Sequence, residues 1–280
     1  MSLAIRAKML MIYLILCIYT CLTIGAFIWV ALQSLKNNSE FITSLPWHLP
    51  QTWKWSNYTE AWRRAKMNSY FGNSIVVSVI STTLSLLVAT LAAYALSRIR
   101  GVKWVGFLQQ FFLVGIMLPV ILAVVPLYFL WVNLHLVNTT IGLIIIYTGL
   151  MLPFSIYYLS GFFKAIPHEL EEAAAVDGAP LLHSFIRIFL PMAGPGLAAV
   201  FVVNFLWAWN EFFYALVFIT RSANYTVAVG LYYLDVNAEV TAQWVYLFAG
   251  MLIALLPVLI LYMLLSDQIT KGLTAGALKG

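Results

Sequence analysis

Six apolar stretches, each long enough to cross a bilayer as a helix, alternate with polar segments along this 280-residue chain. They cover about residues 10–32, 73–96, 104–132, 139–162, 194–220 and 244–265. Backbone groups inside hydrocarbon must be satisfied within their own segment, so each stretch predicts a helix. The expected class is all-α: a polytopic membrane protein with six transmembrane helices. Pro119, Pro126 and Pro153 fall inside spans and predict kinks or local openings. Such prolines can curve helices around a pathway, and they are also ordinary in membrane helices.

Composition agrees with this pattern. The chain is 63% apolar and 9% charged, far from the roughly 25% charged residues of soluble domains. The first apolar block runs on past the length of a signal peptide into Phe27, Ile28, Trp29 and Val30, with no small-residue cleavage pattern behind it. Cys17 and Cys21 lie inside that block, one helical turn apart, and read as packing residues. The net charge of +5 comes from loop lysines and arginines close to lipid headgroups. No basic stripe interleaved with exposed aromatics accompanies it, so no nucleic-acid partner is expected.

Short-loop charge orients the chain. Arg6 and Lys8 precede span one, Arg98, Arg100 and Lys103 fill the loop after span two, and Lys271 and Lys279 follow span six. The loop between spans three and four has no basic residue, so both termini are expected on the cytoplasmic side. Arg63, Arg64 and Lys66 dissent, but they lie in the long connection 33–72, where the rule is weaker. That connection also carries Trp47, Trp53, Trp55 and Trp62, which suit an interfacial anchor better than a contact with an external partner.

Catalytic signatures are missing. There is no Gly-x-x-x-x-Gly-Lys-Ser/Thr loop, so the chain does not bind ATP by that route. Neither a His-Glu-x-x-His nor a Gly-x-Ser-x-Gly pattern occurs, and the four histidines are scattered. Neither catalysis nor a resident metal or cofactor is expected.

The polar segment 163–193 stands apart. Four of the ten carboxylates (Glu169, Glu171, Glu172 and Asp177) fall within nine residues of it. Pro167 suits a first helical turn, the residues from His168 to Val176 are good helix formers, and the acids there complement the helix dipole. Gly178 is expected to take the left-handed conformation that ends this helix. Asp177 is expected to cap a second helix starting near Pro180. Solvation explains the acids, but not Ala173, Ala174 and Ala175 on a helix with no lipid to face. Small side chains there would let another protein approach closely.

The spacing Glu172-Ala173-Ala174, Gly178, Ile188, Leu190-Pro191 resembles the loop signature of the membrane subunits of binding-protein-dependent ABC importers. Further segments are similar to the carbohydrate branch of that family. They are Ala95-Leu96-Ser97-Arg98, Gly161-Phe162-Phe163, the run from Ile166 to Glu172, Ala208-Trp209-Asn210-Glu211-Phe212, and Gly272-Leu273-Thr274-Ala275-Gly276 leading to Lys279. The ending resembles the smaller membrane subunit of maltose-type importers. Span one and the long loop match no motif. The resemblance implies a type I ABC importer transmembrane fold with a core over about residues 70–266, a coupling loop at 163–193 and a cytoplasmic tail at 266–280, in the cell membrane of a prokaryote. It implies as partners a second permease subunit, two copies of a cytoplasmic ATPase that carries ATP and Mg, and an extracytoplasmic sugar-binding protein. Glu172, Ala173, Ala174, Asp177, Gly178, Ile188, Leu190 and Pro191 would form the ATPase-coupling site. Gly272 to Gly276 and Lys279 would give a second contact.

Asn210 and Glu211 lie inside span five, where a carboxylate costs about 2.5–3.5 kcal/mol on insertion scales and so faces an interior or cavity. A gate-side or interhelical contact is the first reading, sugar binding the second, and a snorkelling acid the third. The loop 221–243 carries Tyr232, Tyr233 and Asp235, and in maltose-type relatives this loop meets the binding protein. The cargo is expected to be a sugar, with glycerol phosphate or an osmolyte as the alternative.

Overall fold

The computed structural model describes the backbone of residues 3–64, 66–99 and 101–277, with side chains outside 1–7, 65, 100, 103 and 267–280. Among the described residues every regular element is helical. The chain runs α1 (Leu3–Ser34), α2 (Asn38–Thr43), α3 (Ser56–Arg64), α4 (Met67–Arg98), α5 (Lys103–Met117), α6 (Val124–Asn133) and α7 (Thr140–Ala165). It continues with α8 (Glu169–Val176), α9 (Leu181–Ser184), α10 (Leu190–Met192), α11 (Gly194–Asn210), α12 (Phe213–Phe218), α13 (Val227–Thr241) and α14 (Trp244–Ala277).

Among the described residues four helices are long and apolar enough to cross a membrane: α1, α4, α7 and α14. The count rises to six if two bent pairs each make one span. Span three is thus not one rod. It bends by 90° between Met117 and Val120. Pro119 disfavours a helical conformation for the residue before it, and Leu118 is extended at ψ 131°. Pro126 lies in the first turn of α6, whereas Pro153 sits inside an unbroken α7. Span five also departs from expectation, because α11 stops at Asn210 and Glu211 is extended. The segment expected as a loop at 221–243 is largely α13. Its inward positions Val227, Leu231, Leu234 and Ala238 recur with a helical period.

The chain packs as two units, Met1–Asn68 with Gly230–Leu256, and Ser69–Val229 with Pro257–Gly280. In the first, the connection after α1 folds back on that helix. Asn57 is buried and donates to the Ser34 and Lys36 carbonyls at 2.8 Å each, satisfying the last acceptor of α1 and one just beyond it. Trp29 and Gln33 both donate to the Pro46 carbonyl, at 3.0 and 2.8 Å. Arg63 and Arg64, the charges that dissented on orientation, pair with Glu60 at 2.9 and 3.1 Å.

In the second unit, α4 turns a buried row of small polar residues inward, including Ser74, Ser78, Ser81, Thr82 and Ser85. Side chains of this size allow close helix approach in a membrane. Lower down, Ala89, Ala93 and Leu96 of α4 meet Ile156, Leu159 and Phe163 of α7, with Phe185, Phe189 and Val200. This core roots the polar loop.

Candidate functional site

The loop 163–193 is a helix, a glycine-cornered turn and a second helix, and backbone chemistry explains each corner. Its first helix, α8, begins after His168, whose carbonyl accepts from the amides of Glu171 and Glu172 at 2.9 and 3.1 Å. Pro167 precedes that N-cap instead of occupying the first turn. At the other end Gly178 has φ +73°. The Ala179 amide donates to the Ala174 carbonyl at 2.9 Å and the Gly178 amide to that of Ala175 at 3.0 Å. These two bonds form a complete Schellman closure, which needs the left-handed residue that glycine supplies. Asp177 does not cap the second helix. The N-cap of α9 is Pro180, without a side-chain bond, and Asp177 ends α8 instead. The fixed φ of proline already sets the chain for the α9 turn.

Between α9 and α10 the helix widens into a π turn, Phe185–Phe189. The proline ring of residue 191 would crowd the carbonyl four residues earlier in a regular α-helix. The wider turn relieves that clash.

The loop's side chains divide into two sets. Glu172, Ala173, Asp177 and Gly178 are exposed, as are the apolar Val176 (88%), Leu181 and Leu182. Ala174 is buried, and Ile188 and Leu190 are half-buried against the core that includes Phe163 and Phe189. Pro191 is exposed. The motif therefore combines an outward surface with an inward anchor.

Arg98, at the end of α4, dominates the anchor, and sequence reasoning used it only for orientation and resemblance. Its side chain is 5% exposed. Nη2 donates to the carbonyls of Phe163 and Ile166 at 3.0 and 3.2 Å, and Nη1 lies 3.2 Å from His168 Nδ1. Glu171 Oε2 stands 3.7 Å from Nε, and the cation lies 4.4 Å from the centre of the Phe189 ring. The signal available in the sequence was a basic residue in the last turn of an apolar helix. Tyr94, one turn earlier, lies among the rings of Phe163, Phe185 and Phe189 at 4.9–5.8 Å. Beside this junction Lys164 donates to Gln109 at 2.9 Å, and Gln109 donates to the Leu96 carbonyl at 3.0 Å.

A second polar centre sits where α11 breaks. Glu211 accepts from the Tyr147 hydroxyl, from the Tyr214 amide at 2.8 Å and from the Ala215 amide at 3.1 Å. Its carboxylate thereby starts α12 and joins it to α7. Asn210 is exposed and bonds back along its helix, to the Leu206 carbonyl at 2.7 Å. Tyr147, fully buried in α7, was not singled out from sequence. On α13, Tyr232 and Tyr233 are exposed and meet edge to face at 5.4 Å, while Asp235 is half-buried. In the tail, α14 runs on to Ala277 instead of ending near residue 265. The side chains of Gly272 to Gly276, and Lys279 altogether, lie outside the described residues. No group of three or more potential metal ligands occurs among the described residues.

The family described as binding-protein-dependent transport system inner membrane component matches residues 85–274. The chain belongs to this family. The matched region begins within α4, ends within α14 and includes the whole polar loop, so this permease carries its loop within the family's shared core. A diacetylchitobiose uptake system permease of Streptomyces coelicolor is 33% identical, covering 95% of this chain and 87% of its own. An inner membrane ABC transporter permease of Escherichia coli is 36% identical over 95% of this chain and 94% of its own. A sulfoquinovosyl glycerol transport system permease of Agrobacterium fabrum is 32% identical over 90% of this chain and 88% of its own. Among solved structures, a bacterial ABC transporter involved in the import of the acidic polysaccharide alginate superposes with TM-score 0.82 at 22% identity. That match covers 95% of this permease and 98% of the other chain, and it assigns the ABC permease fold.

Proposed function

We propose that this permease forms half of the pathway of an ATP-driven sugar importer and is driven through the α8–Gly178–α9 loop by a separate cytoplasmic ATPase. The observation that carries the reading is the two-sided loop: an inward anchor at Arg98, Ala174 and Ile188, and an outward face at Glu172, Ala173, Val176, Leu181 and Leu182. An apolar group of this kind, set among acids and away from lipid, fits a protein contact. Glu172 offers a charge-assisted bond to a basic group on the ATPase, the alanine permits close approach, and Gly178 fixes the corner. Closure of the ATP-bound ATPase pair then moves the spans as rigid bodies.

The rest of the assembly follows the same reading. A second permease subunit completes the pathway, two ATPase copies hold ATP and Mg, and an external binding protein delivers the sugar. The exposed Tyr232 and Tyr233 of α13, with Asp235, suit that delivery surface. The tail from Gly272 to Gly276 with Lys279 suits a second ATPase contact. Short-loop charge supports cytoplasmic termini, the two bent helix pairs support six spans, and the family's inner membrane description supports residence in a prokaryotic cell membrane. The saccharide cargoes named for the diacetylchitobiose and sulfoquinovosyl glycerol relatives support a sugar here. The test is gentle purification of the tagged chain with its neighbouring subunits, followed by binding of the co-purified external protein to a sugar panel. Capture of an ATPase and binding of one saccharide are expected; absence of an ATPase contradicts the reading.

A further inference from the structure

We infer that Arg98 is the positioning residue that makes the spans follow α8, an inference resting on the reading that α8 docks an ATPase. The observation is convergence. One buried guanidinium touches the last carbonyls of α7 at Phe163 and Ile166, the start of α8 at His168 and Glu171, and the return limb at Phe189. It is itself the last residue of α4. Four segments are thus held at one point by one planar group, whereas the neighbouring Lys164–Gln109–Leu96 link reaches only α7, α5 and α4. Packing lets helices slide, whereas a fork of directed donors fixes their relative positions. Lysine cannot replace it, because a single ammonium has neither the five donors nor the planar face.

The contacts differ in tightness, and the difference has a direction. The bonds to Phe163 and Ile166 are made, at 3.0 and 3.2 Å. Nε, by contrast, is buried without a hydrogen bond, and Glu171 Oε2 is 3.7 Å away. A buried donor left open on a charged group is costly, so this gap favours closing. A shift of α8 toward α4 by under about 1 Å would bring the pair to hydrogen-bond distance. Arg98 therefore holds α7 firmly and α8 through a joint with one bond still to make. A push on the outward face of α8 closes that joint and is handed to α4, α7 and the limb that leads into α11.

The test measures whether α8 and α4 move together. Nitroxide labels at Glu169→Cys on α8 and Leu87→Cys on α4, in a background lacking Cys17 and Cys21, report their separation in the assembled transporter. It is read without nucleotide and with Mg-ATP and vanadate. In the otherwise unmodified chain one narrow distance is expected in both states. In Arg98→Gln and Arg98→Lys the distance should stay narrow without nucleotide, then broaden and shift by a few ångströms with it. ATP hydrolysed at a given rate of import should rise about tenfold, within the roughly 5–150-fold span of typical coupling energies. A distance unchanged by nucleotide in both variants overturns the inference, and so does equal broadening in both states, which marks a structural staple. If neither Arg98 variant assembles, Glu171→Gln decides by the same two criteria, because it removes only the open joint. Failure of the docking reading shows separately, as an unmodified chain that captures no ATPase, and overturns both readings at once.

Discussion

The Tyr147 hydroxyl donates to the Glu211 carboxylate, tying the middle of α7 to the point where α11 ends. The same carboxylate accepts two amides at the start of α12, so one side chain both breaks a span and secures the break. A hydrogen bond to a charged group contributes about 1.5–3 kcal/mol. Tyr147→Phe and Glu211→Gln should therefore each lower the unfolding midpoint of the solubilised permease. The double variant should lose less than the sum, with a coupling of about 0.5–3 kcal/mol. Strict additivity would mean that the two side chains have no energetic coupling.

Transport gives a second test of the same residue. If the junction belongs to the gate, Glu211→Gln should slow uptake several-fold while the ATPase stays bound. Unaltered uptake would favour a carboxylate that only caps α12.

Gly178 separates strain within the chain from contact with a partner. A Cβ there meets nothing within 4 Å, so its constraint is the positive φ. Gly178→Ala should cost about 1–2 kcal/mol from the left-handed conformation alone. Gly178→Leu costs the isolated chain little more, yet should uncouple uptake or block ATPase capture while membrane insertion stays normal. Normal sugar uptake by the leucine variant would remove this corner from the coupling surface.

Two glycines two residues apart make a packing control. A Cβ on Gly196 would lie 2.7–2.9 Å from the Phe162 ring, whereas one on Gly194 meets nothing within 4 Å. Gly196→Ala should destabilise the α7–α11 contact by about 1–3 kcal/mol, as overpacking does. Gly194→Ala should leave the melting curve near that of the unmodified chain. Equal effects would mean that α11 can shift away from Phe162.

These residues also mark what was legible in the sequence. Apolar length announces a span because lipid leaves a backbone no other choice, and the Schellman corner was readable because glycine is the residue that takes its left-handed conformation at least cost. The break at Pro119 carries its own local signal. The break at Glu211 has no proline or glycine, and arises from a carboxylate serving amides beyond it and a tyrosine 64 residues away. Asp177 misled because Pro180 sets the next turn through its ring. The helical period of α13 was present at Val227, Leu231, Leu234 and Ala238 but was masked by the polar residues between them. Arg98 was invisible as an anchor because its partners come from three later segments of the chain.

The central claim is that the outward face of α8 receives an ATPase. The most direct measurement is the amount of ATPase retained by the tagged permease in mild detergent, comparing Glu172→Lys with the unmodified chain. Glu172 is exposed, so the substitution leaves the permease folded and tests only the surface. The account predicts stoichiometric capture by the unmodified chain and at least about a tenfold loss with Glu172→Lys, the cost of replacing a charge-assisted contact by repulsion. Equal capture by both chains, or none by either, would contradict it.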